Sequence, residues 1–563
     1  MSEVMDTKGA RSTHISRRSL LMQALLLSLG GCAGMGRPRA FHSPPSTPRY
    51  DMSVRLEPDQ RRMSVTGVAR FPASVHERQD LRFVMAPLAR EVAFSCHTRR
   101  GAIPVSVSDA PRANGDREWT LRFAAPIAAG TAVEIRFSYR MEGLGLLFYL
   151  GPEVCFAAAW GMNWYPLSLA DNSGKAIGSL RVETPIGWKV VACHRAVSVP
   201  HGGGTFRYEV LYPTYFSFAA GPFVITERPG VPPVSVYTLG EREHAAALAE
   251  GTQRMLAVLA RVFGPYRFDT LALVEAPRPI ARSAGFNGCS LPGFLLLNGN
   301  AFRARGVDVM LEWLGHELSH QWFPHTVGLR VPPGALLVES LAEYGGWRVV
   351  EELGGAAAAE RMRRIGFEPD PIYSAAAYFQ IVANGADSPL TRPSESPTED
   401  AARNVAYNKG AFAFSMLGRQ IGAGRFQEAL RGLTAGHAHG ETSWEEFQRA
   451  VERAGGKDLT QFFHQWFDRT GAPEFALSWS QDSDQIAGVV RQPAPYYTAS
   501  VEIRVDGARG ETLTDIVEIA AAAETSFSLH AGFAARDVVL DPAYKILRWT
   551  PEYRALRATT PHS

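Results

Sequence analysis

The segment His316-Glu317-Leu318-Ser319-His320 sets two imidazoles four residues apart with a carboxylate between them. On a helix, residues four apart differ by about 40° in direction, so both rings project from one face and can share one ion. Glu317 lies about 100° round from His316, near enough to reach a water on that ion without occupying the ion itself. That is where a general base stands. Eighteen residues separate His320 from Glu339, which falls near the start of the next helical stretch. An antiparallel return of the chain would bring its carboxylate back to the histidines. Two nitrogens, one oxygen and a fourth position open to water are what a catalytic rather than a structural zinc site requires. The implied cofactor is one Zn2+, and the implied chemistry is hydrolysis by metal-activated water.

Histidines four apart on a helix are often no more than a partly buried polar pair, so the company of the motif matters. Glu343, four residues after Glu339, shares its helix face and could orient a ligand histidine. His325, just after Pro324, is a loop histidine available as a further ligand or a substrate contact. Trp313 and Trp322 read as core or pocket wall.

The elements that must position these residues follow from periodicity. Residues 307–323 lack proline and predict a helix that Pro324 ends, and Val331-Pro332-Pro333-Gly334 supplies a reversal before a second helix over 335–353. Further helices are predicted over 245–263 and 410–421. Upstream the pattern has period two. Tyr50, Met52, Val54 and Leu56 alternate, a polar turn spans 57–62, and Met63 and Val65 resume the alternation, as in a hairpin. Similar runs occur at Trp119-Leu121-Phe123 and Val133-Ile135-Phe137-Tyr139. After Gly471-Ala472-Pro473 the alternation returns at Val501, Ile503 and Val505, with a later strand at 538–540. The reading is an α+β multidomain protein. An N-terminal β-sandwich covers 48–229, an α/β catalytic domain 230–472, a small C-terminal β-sandwich 473–552, and a tail 553–563.

Residues 1–32 read as an address rather than a fold. Ser16-Arg17-Arg18-Ser19 precedes an apolar run from Leu20 to Leu29 that is too short to span a membrane, as in a signal peptide. The paired arginines resemble a twin-arginine export signal, and Leu29-Gly30-Gly31-Cys32 resembles a lipoprotein box. Residues 33–47, rich in Pro, Gly and Ser, read as a tether. The expected location is the periplasmic side of a bacterial envelope, with a lipid anchor on Cys32. Ala33 in place of an aspartate leans toward the outer membrane. Cys96, Cys155, Cys193 and Cys289 permit three pairings between which the sequence does not choose. With 58 basic against 56 acidic residues and no basic run interleaved with aromatics, nucleic acid is excluded as a partner.

The stretch His316 to Phe323 followed by Glu339-Ser340-Leu341-Ala342-Glu343-Tyr344 resembles the membrane alanyl aminopeptidase family of zinc metallopeptidases, the gluzincin group that includes aminopeptidase N and leukotriene hydrolase. Tyr407-Asn408-Lys409-Gly410 is similar to the family's Tyr-x-Lys-Gly segment, which implies that Tyr407 stabilises the oxyanion. Tyr50 to Leu56 is similar to its first strand, and Gln465-Trp466-Phe467 with Thr470-Gly471 resembles the end of its catalytic region. The resemblance implies a thermolysin-like catalytic domain, His316, His320 and Glu339 as metal ligands, and Glu317 and Tyr407 as catalytic residues.

This sequence departs from the family pattern in two ways. It ends at residue 563, a short form without the large C-terminal helical domain. The motif Gly-x-Met-Glu-Asn, whose glutamate binds a substrate's α-amine, has its best counterpart in Gly285-Phe286-Asn287-Gly288, with no carboxylate, and nothing acidic lies at 155–157 where a second amine contact would fall. The expected function is therefore peptide hydrolysis on a peptide substrate, aminopeptidase-like but with a degenerate amine-recognition motif. The alternative is a non-catalytic envelope lipoprotein that keeps zinc as a structural scaffold. The oligomeric state is not encoded in any feature of the sequence.

Overall fold

The structure is a computed structural model and describes residues 47–159, 161–169, 174–193, 195–199, 203–303, 310–330, 334–366 and 374–559. The export signal, Cys32, nearly all of the tether and the reversal at 331–333 lie outside the described residues.

Alternation in the first hundred residues is spent on a two-sided sheet. The strand Arg49–Glu57 pairs antiparallel with Arg62–Phe71, Val54 opposite Val65, across a tight turn that Arg61 closes with φ 50°. Tyr50, Met52, Val54 and Leu56 all point inward and are buried, as their period-two spacing requires. Arg49–Glu57 also pairs in parallel with Ala176–Ile186, at the middle of an eight-stranded sheet. Four- and five-stranded sheets complete this β-rich region. They share a core in which Tyr50, Tyr165 and Phe216 meet at ring separations of 5.6–6.4 Å.

Helices take over at α1 (Ala245–Phe263), whose buried stripe runs from Leu248 through Met255 and Leu259 to Phe263. It belongs to one core with Val234 and Val236, Leu271 and Leu273, and Leu295 and Leu297, alternate residues of three neighbouring strands of a five-stranded sheet. The edge strand of that sheet, Gly288–Leu291, is antiparallel to Phe294–Asn298 and is the element nearest the predicted chemistry. Two helices follow, α2 (Leu311–Ser319) and α3 (Gly334–Val349), and the helical run α4 (Glu399–Val405) to α5 (Ala411–Ile421) passes through one wide π-turn at Ala406–Gly410.

Beyond Asp468 two three-stranded sheets form a second β-rich region. It is tied back by the Gln465 side chain, which donates to Thr498 O at 2.8 Å and accepts from Thr498 N at 2.8 Å. The stretch read as a tail carries a helix, Pro551–Thr559. Tyr553 docks it by stacking on Phe379 at 5.0 Å and donating to Arg364 O. Cys96, Cys155, Cys193 and Cys289 are buried and unpaired. Among the described residues no helix is long and apolar enough to cross a membrane.

Candidate active site and metal centre

Small residues bring α2 and α3 together. A Cβ on Gly346 would lie 2.8 Å from Glu312 O and 3.2 Å from His316 N, and one on Gly345 would run into Ser319 Oγ. Gly315 faces Gly346 across the contact. This backbone-to-backbone approach carries Glu339 and Glu343 on α3 up against His316 and His320 on α2.

Helix α2 stops at Ser319, earlier than the predicted Phe323, with His320 as its cap in helical conformation. The four-residue offset of the histidines survives because His320 keeps the helical turn. The apolar residues that extend the helical pattern are committed to tertiary contacts instead. Trp322 donates to Gly264 O at 2.8 Å, and Gln321 reaches Ser290 Oγ and Leu291 O on the edge strand.

The ligand atoms converge. His316 Nε2 and His320 Nε2 are 3.1 Å apart, and Glu339 Oε2 lies 3.3 Å from each. Donor atoms on a tetrahedral zinc at about 2.0–2.1 Å stand about 3.3–3.4 Å from one another, so the triangle fits one face of that coordination shell. Protonation agrees with the geometry. His320 Nδ1 donates to Phe323 O at 2.9 Å and His316 Nδ1 to Glu343 Oε2 at 2.9 Å, which leaves both Nε2 atoms as lone pairs turned toward each other. Glu339 Oε2 is buried with no hydrogen bond of its own. Two facing lone pairs and an orphaned buried carboxylate oxygen are a repulsive set that a cation relieves. Among the described residues this is the cluster able to hold a metal, and His325 is outside it.

Behind the ligands stands a buried carboxyl pair. Glu343 is fully buried and accepts from Trp347 Nε1 at 3.0 Å as well as from His316. Burial drives both Glu312 and Glu343 toward the protonated form, and Glu312 hydrogen-bonds to Glu343. Sequence spacing singles out Glu343; Glu312 gives no such signal, since its partner is remote in the chain.

Glu317 faces a cleft of about 390 Å³ that it shares with the three ligand residues and Tyr407. Burial raises the pKa of its carboxyl against the opposing pull of His316 and His320, and the Ser290 backbone hydrogen-bonds to it. Room for that carboxylate depends on Gly288, where a Cβ would sit 2.6 Å from Glu317 Oε1. Tyr407 lies on the wide turn between α4 and α5, its ring centroid 5.5 Å from that of His316. The turn is pinned to α3, because Ser340 Oγ donates to Ala406 O at 2.8 Å and a Cβ on Gly410 would strike Ser340. His325 also lines the cleft; burial lowers its pKa to about 3, and its Nε2 has no partner. Trp313 forms part of the wall, whereas Trp322 is core. The far wall is apolar. Leu146 and Leu147 come from the N-terminal β-rich region, joined by Leu147 N to Ala284 O at 2.9 Å, and Phe286 meets Phe156 edge-on at 5.6 Å.

Helix-borne histidines and a carboxylate from the next helix, with a sheet edge alongside, form a cluster that could hold a metal ion. Residues 249–466 match the peptidase family M1 domain. It is similar to the mitochondrial aminopeptidase 2 of Saccharomyces cerevisiae, with 24% identity over 264 residues, 44% of this chain and 26% of that protein. It is also similar to probable aminopeptidase 1 of Sulfurisphaera tokodaii, at 22% over 371 residues, 62% of this chain and 46% of that one. Aminopeptidase N of Lactococcus lactis is 28% identical over 186 residues, 32% of this chain and 21% of its own length. The chain thus spans less than half the length of each of these relatives.

Proposed function

We propose that this protein is a zinc-dependent metallopeptidase, aminopeptidase-like in its catalytic set but with a degenerate amine-recognition motif. The observation that carries the proposal is the triangle of His316, His320 and Glu339 ligand atoms at 3.1–3.3 Å, with Glu317 beside it in the same cleft. Those three residues hold the metal. Zinc, when bound, supplies Lewis acidity to the scissile carbonyl and makes its water a nucleophile near neutral pH.

Glu317 takes the proton from the attacking water and delivers it to the leaving amine. Its burial favours this, because a carboxylate with a raised pKa is a stronger base and gives the proton up within reach of neutral pH. Tyr407 donates a hydrogen bond to the oxyanion that develops on the substrate carbonyl. Glu343 keeps His316 in the tautomer that presents Nε2.

The same proposal includes the layout and address read from the sequence. A β-sandwich spans 48–229, a thermolysin-like domain 230–472 and a small β-sandwich 473–552. The protein is exported and held at the periplasmic face of the envelope by a lipid on Cys32. Purified mature protein, loaded with zinc, is tested on a peptide mixture with free and acetylated amino termini, read by mass spectrometry. Cleavage at defined bonds is expected. Intact peptides after prolonged incubation with zinc-loaded protein would overturn the proposal.

A further inference from the structure

Once the metal ligands and base are assigned, Arg403 is the fixed cation among the described residues that line the cleft and has no part in that chemistry. Among the described residues that line it, the carboxylates are Glu317 and Glu339, and both are committed to the chemistry. None remains to meet an ammonium group, and the wall around Phe286, Leu146 and Leu147 is hydrocarbon. Arg403 lines the same cleft. It sits on α4, four residues before Tyr407 on the wide turn that follows, and both residues line the one cleft. Its ion pair is a 3.8 Å contact with Asp400, whose side chain is 87% exposed. A long, solvated pair of this kind holds a guanidinium weakly.

A planar guanidinium binds a carboxylate through two parallel N–H···O bonds, an arrangement that also fixes orientation. We infer that Arg403 recognises a carboxylate of the substrate close to the scissile bond, so that the preferred substrates are anionic peptides whose amino terminus is blocked or remote, rather than peptides presenting a free α-amine. The inference rests on the peptidase reading above and names its substrate class. A free amine held in this cleft would lose its hydration with no carboxylate to replace it, whereas an aspartate side chain or a peptide's terminal carboxylate would find a partner.

The test uses the full mature chain loaded with zinc and a set of internally quenched peptides, acetylated and amidated at their ends, in which one aspartate is moved through each position flanking the cleaved bond. Matched peptides with a free carboxyl terminus separate a terminal carboxylate from a side-chain one, and matched peptides with a free amine test the other half of the inference. One aspartate position, or the free carboxyl terminus, is expected to raise kcat/KM about tenfold, mostly through KM. In R403A that gain disappears. In R403E the preference at that position passes from aspartate to lysine. A parallel measurement keeps the inference separate from the catalytic proposal: binding of the same peptides to E317Q, followed by fluorescence anisotropy, should rank them in the same order. Arg403-dependent binding without any turnover by the wild type would sustain the inference and sink the peptidase proposal. A flat aspartate scan, a preference that R403E leaves in place, or tightest binding of the free-amine peptides would overturn the inference.

Discussion

His316 Nδ1 and Glu343 Oε2 are joined by a 2.9 Å hydrogen bond in the buried layer behind the ligand triangle. Glu343 is itself held by Trp347 and by Glu312. A carboxyl oxygen that accepts the Nδ1 proton turns the ring and presents Nε2 as the ligand. Glu343→Gln keeps an acceptor oxygen but puts an amide where the carboxyl meets Glu312, and it is expected to weaken zinc binding by about 10–100-fold with the fold retained. Competition against a chelator of known affinity measures it; an unchanged midpoint would assign Glu343 to packing alone.

Gly346 controls how closely α2 and α3 approach. Gly346→Ala adds a methyl 2.8 Å from a backbone carbonyl, which cannot swing aside as a side chain can. The helices must part, at a cost of about 1–3 kcal/mol, and the His316–Glu339 distance must grow with them. A lower unfolding midpoint together with weaker zinc retention is expected. Zinc retained at the wild-type level would show that the site does not depend on this contact.

Lys409 lies two residues from Tyr407, is buried, donates to Arg469 O and stands 5.9 Å over the Tyr378 ring. Burial lowers its pKa to about 8, against the partial support of Asp387. Between that value and the unfolded value near 10.4, the unfolded chain binds more protons than the folded one, so raising the pH favours folding. Below pH 8 both forms are protonated and the burial cost is fully present. Relative to Lys409→Met, the wild type should therefore gain roughly 1–3 kcal/mol of stability from pH 8 to 10.5. Chemical denaturation of both proteins across that range checks the sign; a flat difference would contradict the burial of a titrating amine.

Local pattern carried far where one face had to be buried. Helix α1 runs over the predicted Ala245–Phe263, because nineteen residues with no proline and a continuous apolar stripe leave few other ways to cover it. The hairpin of Arg49–Glu57 and Arg62–Phe71 follows from alternation and a polar turn. His316, His320 and Glu339 converge as their spacing implies, since i and i+4 share a helix face and the return of the chain is short.

Tertiary demands were harder to read. The end of α2 was displaced because Gln321 and Trp322 serve the edge strand and α1, a use that helical periodicity does not distinguish from continued helix. Gly288 enters the sequence only as the end of Gly285-Phe286-Asn287-Gly288, and its part in the site appears when the Glu317 carboxylate is seen beside its Cα. The stretch after Thr550 has too little pattern to announce a helix, and it is the docking of Tyr553 on Phe379 that anchors one. Arg403 had a signal in its four-residue offset from Tyr407, but that gains meaning only when both are seen to line one cleft.

The most direct measurement pairs metal content with turnover in Glu317→Gln. Zinc per chain, determined by elemental analysis after dialysis, should stay at one ion, because the three ligand side chains are untouched. Peptide hydrolysis should fall by about a thousandfold or more, because the base is gone. Hydrolysis at the wild-type rate by the zinc-loaded variant would contradict the assignment of Glu317, and with it the reading of this cleft as a metallopeptidase active site.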